Sequence, residues 1–262
     1  MSNQMVDLNR VGAKGAIAEA AEGKWGMVID RDLCTGCQAC VAACAMENNL
    51  SFVGEEDAGY GRTQHWIRIE RLWEGEYPEV KMDGGFQPML CQQCGSAPCE
   101  PVCPVFATPH SEAEQINLQV YNRCIGTRYC ANNCPYQVRS FNWRDYHIEP
   151  FHANMVNGQL VFPLHNQFNP DVTVRRRGVM EKCTFCIQRI HSAQDKAKSE
   201  GREVEDGEFT TACAQACPAS AITFGRMDDH ESLVSQLAHL NRGEQHLAEL
   251  NTLPRVTYLK EG

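Results

Sequence analysis

The sequence predicts an α+β fold built from small cysteine-rich modules. Fifteen of its 262 residues are cysteines, and they fall into four closely spaced runs. Short apolar segments typical of strands lie before the first run and after the last one. With 43% hydrophobic and 22% charged residues, the chain has the composition of a globular protein, and it is long enough for one large or two small domains.

The four runs share one spacing pattern. They read Cys34-x2-Cys37-x2-Cys40-x3-Cys44; Cys91-x2-Cys94-x4-Cys99-x3-Cys103-Pro104; Cys124-x2-Thr127-x2-Cys130-x3-Cys134-Pro135; and Cys183-x2-Cys186, followed after 26 residues by Cys213-x3-Cys217-Pro218. Cysteines at this spacing, with proline after the fourth, are the signature of bacterial iron–sulfur proteins. In those with two clusters, the fourth cysteine of each run binds the cluster of the other run.

Disulfides and zinc are the alternatives for so many cysteines. A disulfide framework favours an even number of cysteines and gives no reason for three thiols at regular gaps of two residues. Zinc sites would use paired C-x2-C units and would not explain the prolines. The pattern therefore favours iron–sulfur clusters that occur in interlocked pairs, and by itself it leaves open which runs pair.

The third run lacks one thiolate, because Thr127 stands where the other runs have their second cysteine. A thiolate is a soft ligand for iron, whereas the threonine hydroxyl is hard and stays protonated near neutral pH. The iron at that corner would be poorly held, and we expect a three-iron cluster. The alternative is that Thr127 or a water molecule completes a four-iron cluster.

The segments between the runs predict short regular elements. A helix behind the first run is expected to point Cys44 away from the first three cysteines, and alternating apolar and polar residues after residue 65 indicate an inserted β-hairpin. The predicted elements are a strand at Trp25–Asp30, a helix at Val41–Asn49, a hairpin joining His65–Leu72 to Glu79–Met82, a helix at Ile187–Ser199, a strand at Ala221–Phe224, a helix at Glu231–Leu240 and a strand at Arg255–Leu259. Residues 1–24 are predicted to form a polar arm, and 145–178, with three prolines, an irregular insertion.

Charge and hydropathy exclude several classes of function. A net charge of −9 argues against nucleic-acid binding, which requires a basic face. The apolar runs are too short for a membrane span, so we expect any membrane association to come through a partner. Residues 1–24 show neither an apolar signal core nor a twin-arginine pair, which taken literally indicates the cytoplasm. The chain would equally lack a signal of its own if it were exported already folded and bound to a partner that carries one.

Two phrases carry a family resemblance: Tyr121-Asn-Arg-Cys-Ile-Gly-Thr-Arg-Tyr-Cys-Ala-Asn-Asn-Cys-Pro-Tyr136 and Met180-Glu-Lys-Cys-Thr-Phe-Cys-Ile-Gln-Arg189. With the four runs, they make residues 25–226 resemble the four-cluster iron–sulfur subunit of the molybdopterin oxidoreductase superfamily. The resemblance implies two bacterial-ferredoxin-like double-cluster modules with an inserted β-hairpin and loops. One module would comprise residues 25–84 and 146–226, with runs one and four, and a nested module would comprise residues 85–145, with runs two and three. Residues 227–262 would be a C-terminal extension.

The resemblance also implies which cysteines share a cluster. A first set (Cys34, Cys37, Cys40 and Cys217), a second set (Cys44, Cys183, Cys186 and Cys213) and a third set (Cys91, Cys94, Cys99 and Cys134) would each hold a 4Fe-4S cluster. A fourth set (Cys103, Cys124 and Cys130, with Thr127 at the vacant ligand position) would hold a 3Fe-4S cluster. Arg123, Arg128 and Arg139 are expected near this fourth set, where they would favour its reduced form or be solvated or paired.

The threonine makes the chain most similar to the iron–sulfur protein of the menaquinone reductase (Qrc) and alternative complex III group. That resemblance implies a non-catalytic subunit that passes electrons between a periplasmic multihaem cytochrome c and menaquinone. Its partners would be a molybdopterin-like subunit, the cytochrome and an integral membrane quinone-binding subunit. It would lie on the periplasmic side of the membrane after export with a partner bearing a twin-arginine signal. The alternatives are a subunit of a polysulfide- or nitrate-reductase-type molybdoenzyme and a free-standing cytoplasmic polyferredoxin.

Overall fold

The computed structural model describes residues 24–81, 85–146, 155–156, 159–160 and 167–260, which form a mixed α/β structure. Its strands are β1 (Trp25–Asp30), β2 (Ile67–Arg71), β3 (Phe86–Leu90), β4 (Ser140–Phe141), β5 (Met155–Val156), β6 (Gln159–Leu160), β7 (Met180–Glu181), β8 (Ile222–Arg226), β9 (Gly243–Glu244) and β10 (Val256–Leu259). Its α-helices are α1 (Ala39–Glu47), α2 (Glu55–Gly59), α3 (Tyr129–Asn132), α4 (Ile187–Ser199), α5 (Ala212–Gln215) and α6 (Leu233–Ala238). None of the described helices is long and apolar enough to cross a membrane.

A four-stranded sheet in the order β8-β1-β10-β9 joins the two ends of the described chain. Strand β1 lies antiparallel to β8 and parallel to β10, with Met27 opposite both Phe224 and Val256. The predicted strand at Trp25–Asp30 is confirmed with the same bounds. The strands predicted at Ala221–Phe224 and Arg255–Leu259 are confirmed: β8 begins one and ends two residues later than predicted, and β10 begins one residue later and ends at the predicted residue.

The C-terminal segment, which the resemblance implies to be an extension from residue 227, packs against this core. The Tyr258 side chain is fully buried, and its hydroxyl donates to the Pro88 carbonyl at 3.1 Å. The Gly95 amide donates to the Leu253 carbonyl at 2.8 Å, next to the second cysteine run. Residues 252–259 therefore hold the start of that run in place.

The inserted β-hairpin is confirmed, but its main pairing differs from the prediction. Strand β2 pairs antiparallel with β3, so that Ile67 lies opposite Leu90. The predicted partner, Glu79–Met82, contributes a single bridge between Glu74 and Lys81, and Met82 lies outside the described residues. The pairing crosses residue 84, where the sequence places a domain boundary, and the boundaries themselves stay a prediction.

The helices follow the sequence pattern closely. Helix α4 has the predicted bounds, whereas α1 begins and ends two residues before the predicted Val41–Asn49. Helix α6 lies inside the predicted Glu231–Leu240, because the Ser232 hydroxyl caps it by accepting a hydrogen bond from the Ser235 amide. The predicted arm lies almost wholly outside the described residues, as does the middle of the predicted insertion, apart from the short strands β5 and β6.

The core packs cysteines against aromatic rings. Trp25 stacks on Phe224 at 5.8 Å between ring centroids, and Phe185 meets Phe224 edge-on at 5.3 Å. All of these side chains are buried in one cluster that also contains most of the cysteines. The apolar shell therefore surrounds the thiols and limits the access of water to them.

The basic triplet at residues 175–177 is divided between the interior and the surface. Arg175 is 6% exposed, and its guanidinium lies 5.1 Å from the centre of the Trp66 ring and 2.9 Å from Oε2 of the buried Glu181. Arg176 and Arg177 are exposed. The buried Arg175 guanidinium, between an aromatic ring and a carboxylate, therefore has a structural role.

Candidate iron–sulfur sites

The four runs share one backbone turn. In the segment that opens each run, Cys-x-x-Cys or Cys-x-x-Thr, the second intervening residue has a positive φ: Gly36 at 69°, Gln93 at 49°, Gly126 at 74° and Phe185 at 54°. This conformation turns the chain back on itself, so that the residues before and after the turn can face one centre. The sequence repeat is thus also a repeat of local geometry.

Gly126 satisfies this requirement where space is smallest. A Cβ atom at that position would overlap the Gly178 carbonyl oxygen, which belongs to the segment leading into β7. The glycine therefore provides both the left-handed φ and the close approach of two backbone segments beside the third run.

Thr127 occupies the backbone position that a cysteine occupies in the first run. Gln38, which follows Cys37, has φ 62° and ψ 10°, and Arg128, which follows Thr127, has φ 61° and ψ 4°. The preceding glycines are equally similar in φ. Thr127 therefore stands at a ligand position with a different side chain, and it is exposed.

The structure brings the first set together. Burial and the nearby thiols of Cys34, Cys217 and Cys37 raise the pKa of the Cys40 thiol to about 11. Like charges at short range disfavour the thiolate, so the shift records that these four sulfurs lie close to one another. Cys217 thus joins the first run across almost the whole length of the sequence.

The second set is the most deeply buried. Burial raises the pKa of the Cys44 thiol well above its ordinary value, and the thiols of Cys183, Cys213 and Cys186 raise it further. All four side chains of this set are buried. Helix α1 directs Cys44 away from the first three cysteines, as the sequence predicts.

In the third set, burial raises the pKa of the Cys94 thiol to about 12, and Cys91, Cys99 and Cys134 add to this rise. The Thr252 hydroxyl opposes the shift by donating a hydrogen bond to Cys94. The C-terminal segment therefore contributes directly to this site, which the sequence did not indicate.

Contacts in the fourth set are fewer. Burial raises the pKa of the Cys130 thiol. The nearby thiols of Cys99 and Cys124 raise this pKa further, whereas Arg139 lowers it. The Cys103 sulfur accepts a hydrogen bond from the Ala107 amide at 3.1 Å, and the place of Cys103 in this set rests on the resemblance.

Pairs of thiols from neighbouring sets connect the four sites in series. Cys40 of the first set raises the pKa of Cys213 in the second set, and Cys91 of the third set raises that of Cys183 in the second. Cys99 of the third set acts in the same way on Cys130 of the fourth. The order is therefore first, second, third, fourth.

Exposure of the sulfurs agrees with such a series. Cys37 in the first set is exposed, and Cys34 and Cys217 are partly buried. Cys103 and Cys124 in the fourth set are also partly buried, whereas the second set is buried throughout. Each of the other sets has at least one sulfur that is not fully buried, including Cys134 of the third set, and the first set, at one end of the series, is the most exposed.

The donors around the sulfurs fit clusters bound through thiolates. Backbone amides donate to sulfur at Cys124 from Met180 (3.3 Å), at Cys183 from Phe185 (3.4 Å) and at Cys217 from Ala221 (3.3 Å). Hydrogen bonds to ligand sulfurs stabilise their negative charge and help to set cluster potentials. Among the side chains that the structure describes, no three His, Cys, Asp or Glu residues could together hold a single metal ion.

The three arginines expected near the fourth set have different environments. Arg123 and Arg128 are exposed, and the Arg128 guanidinium lies 4.8 Å from the centre of the Phe141 ring. Arg139 is 8% exposed, and its Nη2 donates to the Cys99 sulfur at 3.0 Å. It thus contacts the third set through Cys99, and it also interacts with Cys130 of the fourth set, as expected.

Lys182 is another buried residue near the thiols that the sequence did not indicate. Its side chain is fully buried beside Cys183, where the second and third sets approach each other. The only signal in the sequence is its position in the phrase Glu-Lys-Cys, where a lysine ordinarily indicates a solvated charge.

Comparisons with known proteins agree with this chemistry. A family model described as a 4Fe-4S dicluster domain matches residues 33–107. The iron–sulfur cluster-binding subunit of menaquinone reductase from Nitratidesulfovibrio vulgaris is 42% identical over 240 residues, covering 90% of this chain and 88% of the relative. The iron–sulfur subunit of arsenate respiratory reductase from a Shewanella species is 34% identical, covering 90% and 95%. Iron–sulfur subunit 1 of the Hdr-like menaquinol oxidoreductase from Archaeoglobus fulgidus is 33% identical, covering 91% and 84%.

Proposed function

The chain belongs to the family of iron–sulfur electron-transfer subunits of quinone and molybdoenzyme-type oxidoreductase complexes, and from this membership we propose that it carries electrons between a multihaem cytochrome c and menaquinone. The observation that carries the proposal is the linear series of four thiol sets with its two ends near the surface. Such a series suits one-electron steps from one end of the chain to the other. The name of the menaquinone reductase relative supports the choice of quinone.

The first, second and third sets would each hold a 4Fe-4S cluster, and the fourth a 3Fe-4S cluster, in two interlocked ferredoxin-like modules. When bound, these groups supply one-electron redox chemistry. The chain's own residues hold them through thiolates, donate hydrogen bonds to the sulfurs and keep the second and third sets largely away from water. No general acid, base or nucleophile is assigned to the chain, so the proton steps of quinone chemistry fall to a partner.

The end of the series at the fourth set is proposed to face the membrane subunit. Three large apolar side chains near it are exposed: Phe106 at 59%, Ile125 at 65% and Tyr129 at 54%. Exposed apolar groups of this kind are typical of protein interfaces. A three-iron cluster starts from an all-ferric state and accepts electrons readily, so it would be the exit to quinone. At the other end, the exposed Leu33 beside Cys34 would meet the water-soluble partners.

This orientation predicts a cross-linking pattern. In the purified complex, photo-cross-linkers at Ile125 and Tyr129 should reach the membrane subunit, since a stable interface buries more than about 1,000 Å² in total. Cross-linkers at Leu33 and Asp32, beside the first set, should reach the cytochrome or the molybdopterin-like subunit. The reverse pattern, identified by mass spectrometry, would contradict the proposed order of electron flow.

A location on the periplasmic side of the membrane belongs to the same proposal. The chain would cross the membrane folded, bound to a molybdopterin-like partner that bears a twin-arginine signal. Replacing that twin-arginine pair by two lysines should leave the cluster-loaded chain in the cytoplasmic fraction. If the chain still reached the periplasm in such a strain, this route would be ruled out.

A molybdoenzyme subunit is the second candidate, and the arsenate respiratory reductase relative favours it. The chain would then connect a molybdenum-containing partner to the quinone pool through the same four sets. Molybdenum in the purified complex, measured by elemental analysis, would favour this candidate. A molybdenum-free complex that reduces menaquinone would favour the first.

A further inference from the structure

Two positive side chains are buried between the thiol sets. Lys182 is fully buried, and Arg139 is 8% exposed. Within the described part of the chain, neither forms an ion pair with a carboxylate: their recorded partners are carbonyl, amide and sulfur atoms. This distinguishes them from the buried Arg175, which has Glu181 as its counter-charge.

Lys182 has the partners of an ammonium group. Its Nζ donates to the Asn117 carbonyl, to the Cys183 carbonyl at 3.0 Å and, in a long contact of 3.5 Å, to Oε1 of Gln93. Three acceptors match the three N–H donors of a protonated lysine, whereas a neutral amine has only two. The charge lies where Cys183 of the second set approaches Cys91 of the third.

Arg139 lies at the next junction. Besides the Cys99 sulfur, its Nη2 donates to Oδ1 of Asn117 at 2.9 Å, and its Nη1 donates to Oε1 of Gln119 at 2.9 Å. The thiols of Cys99 in the third set and of Cys130 in the fourth set both raise the pKa of this guanidinium. Asn117 thus contacts both cations, Lys182 through its carbonyl and Arg139 through its side chain.

An isolated buried cation is costly, because the protein interior solvates charge poorly. Glu100 accepts a hydrogen bond from Nδ2 of Asn117 at 2.7 Å, and among the described residues it forms no hydrogen bond or ion pair with either cation. The remaining source of negative charge is the thiolates. A cluster bound by four thiolates carries a net negative charge, and each added electron increases it.

We propose that Lys182 and Arg139 are positioning residues that raise the reduction potentials of the clusters at the junctions between the second, third and fourth sets. This inference rests on the proposed function only in requiring clusters at those sets. In each step one cluster loses one electron and its neighbour gains one, and no proton or chemical bond is transferred. A fixed positive charge at each junction lowers the energy of the extra electron there, because it attracts the added negative charge.

The test is a redox titration of the purified full-length protein with its clusters, followed by electron paramagnetic resonance. Arg139→Gln and Lys182→Gln should each lower the midpoint potential of at least one of the four reduction steps. We expect at least a tenfold change in the reduction equilibrium, which is about 59 mV for one electron. Arg123→Gln is the matched control: it removes the same charge beside Cys124, but from an exposed position where solvent and salt screen it.

A second variant covers the case in which removing a buried cation prevents cluster assembly. Asn117→Asp combined with Glu100→Gln exchanges an amide and a carboxylate within one hydrogen-bonded pair, so shape and net charge are retained. The negative charge then contacts Arg139 directly, and the same potentials should fall. The proposal would be overturned if this double variant had the same midpoint potentials as Arg123→Gln, and if every single-substitution variant that assembles its clusters did so too. The measured iron content shows whether the clusters are present. The titration needs neither quinone nor partner subunits, so its result does not depend on the proposed function.

Discussion

Thr127→Cys is expected to convert the three-iron cluster into a fourth four-iron cluster. The backbone around Thr127 reproduces that around Cys37, with φ and ψ of the following residue within a few degrees, so a cysteine there would point its thiol at the same kind of centre. Thiolate replaces a hard hydroxyl that holds iron poorly. Iron content should rise from about fifteen to about sixteen atoms per chain.

Electron paramagnetic resonance of the oxidised protein gives the clearest measurement of this change. The unaltered protein should show a three-iron signal near the free-electron g value, and Thr127→Cys should lose it. The potential of that cluster should fall, so electron transfer to menaquinone should slow. Thr127→Ser, which keeps the hydroxyl, is the control and should retain the signal. An unchanged three-iron signal in fully loaded Thr127→Cys would show that residue 127 does not decide the cluster type.

Arg175→Leu is expected to cause a large loss of stability. The substitution leaves the Glu181 carboxylate, which is 1% exposed, with the Asn142 amide as its one remaining hydrogen-bond partner in the described part of the chain. It also removes the donors that reach the Asn48 and Asn49 carbonyls. Breaking a buried pair by removing one partner costs about 3–5 kcal/mol. Asn48 itself donates to the Cys44 sulfur at 3.5 Å, so we expect the second set to loosen as well.

The measurement is the rate at which the visible absorbance of the clusters disappears in urea under anaerobic conditions, because unfolding with cluster loss is irreversible. Arg175→Leu should increase this rate at least tenfold. Arg176→Leu is a matched control one residue away: its side chain is exposed, and its effect should stay within about 0.5 kcal/mol. Equal rates in the two variants would show that the buried ion pair does not stabilise the native state.

The elements that the sequence predicted well are those whose local pattern already determines them. Helix α4 begins directly after Cys186 and carries apolar residues such as Ile190 and Ala193 on one buried face. The hairpin partner was harder to predict, because Pro88 interrupts the strand pattern of β3 and made the earlier, shorter segment Glu79–Met82 look equally suitable. Pairing over that distance depends on tertiary packing, here on the Tyr258 hydroxyl that contacts the Pro88 carbonyl.

The candidate ligands could be predicted because cluster binding restricts both residue type and spacing. The cations Lys182 and Arg139 could not, because a lysine or arginine in a polar segment has the same local sequence whether it is solvated or buried. Their burial follows from contacts with Asn117, which lies 22 residues before Arg139 and 65 before Lys182. Potential-setting residues of this kind become visible only when the segments are folded together.

The position of β10 also governs when this protein can mature. The strand completes the sheet beside β1, and the preceding residues contact Gly95 and Cys94, yet a ribosome makes them after all four cysteine runs. During synthesis the thiols of the third set therefore lack the segment that covers them. We expect iron delivery to act on the released polypeptide rather than on the nascent one, and a chain cut before residue 252 to present bare thiols that cellular proteases can recognise.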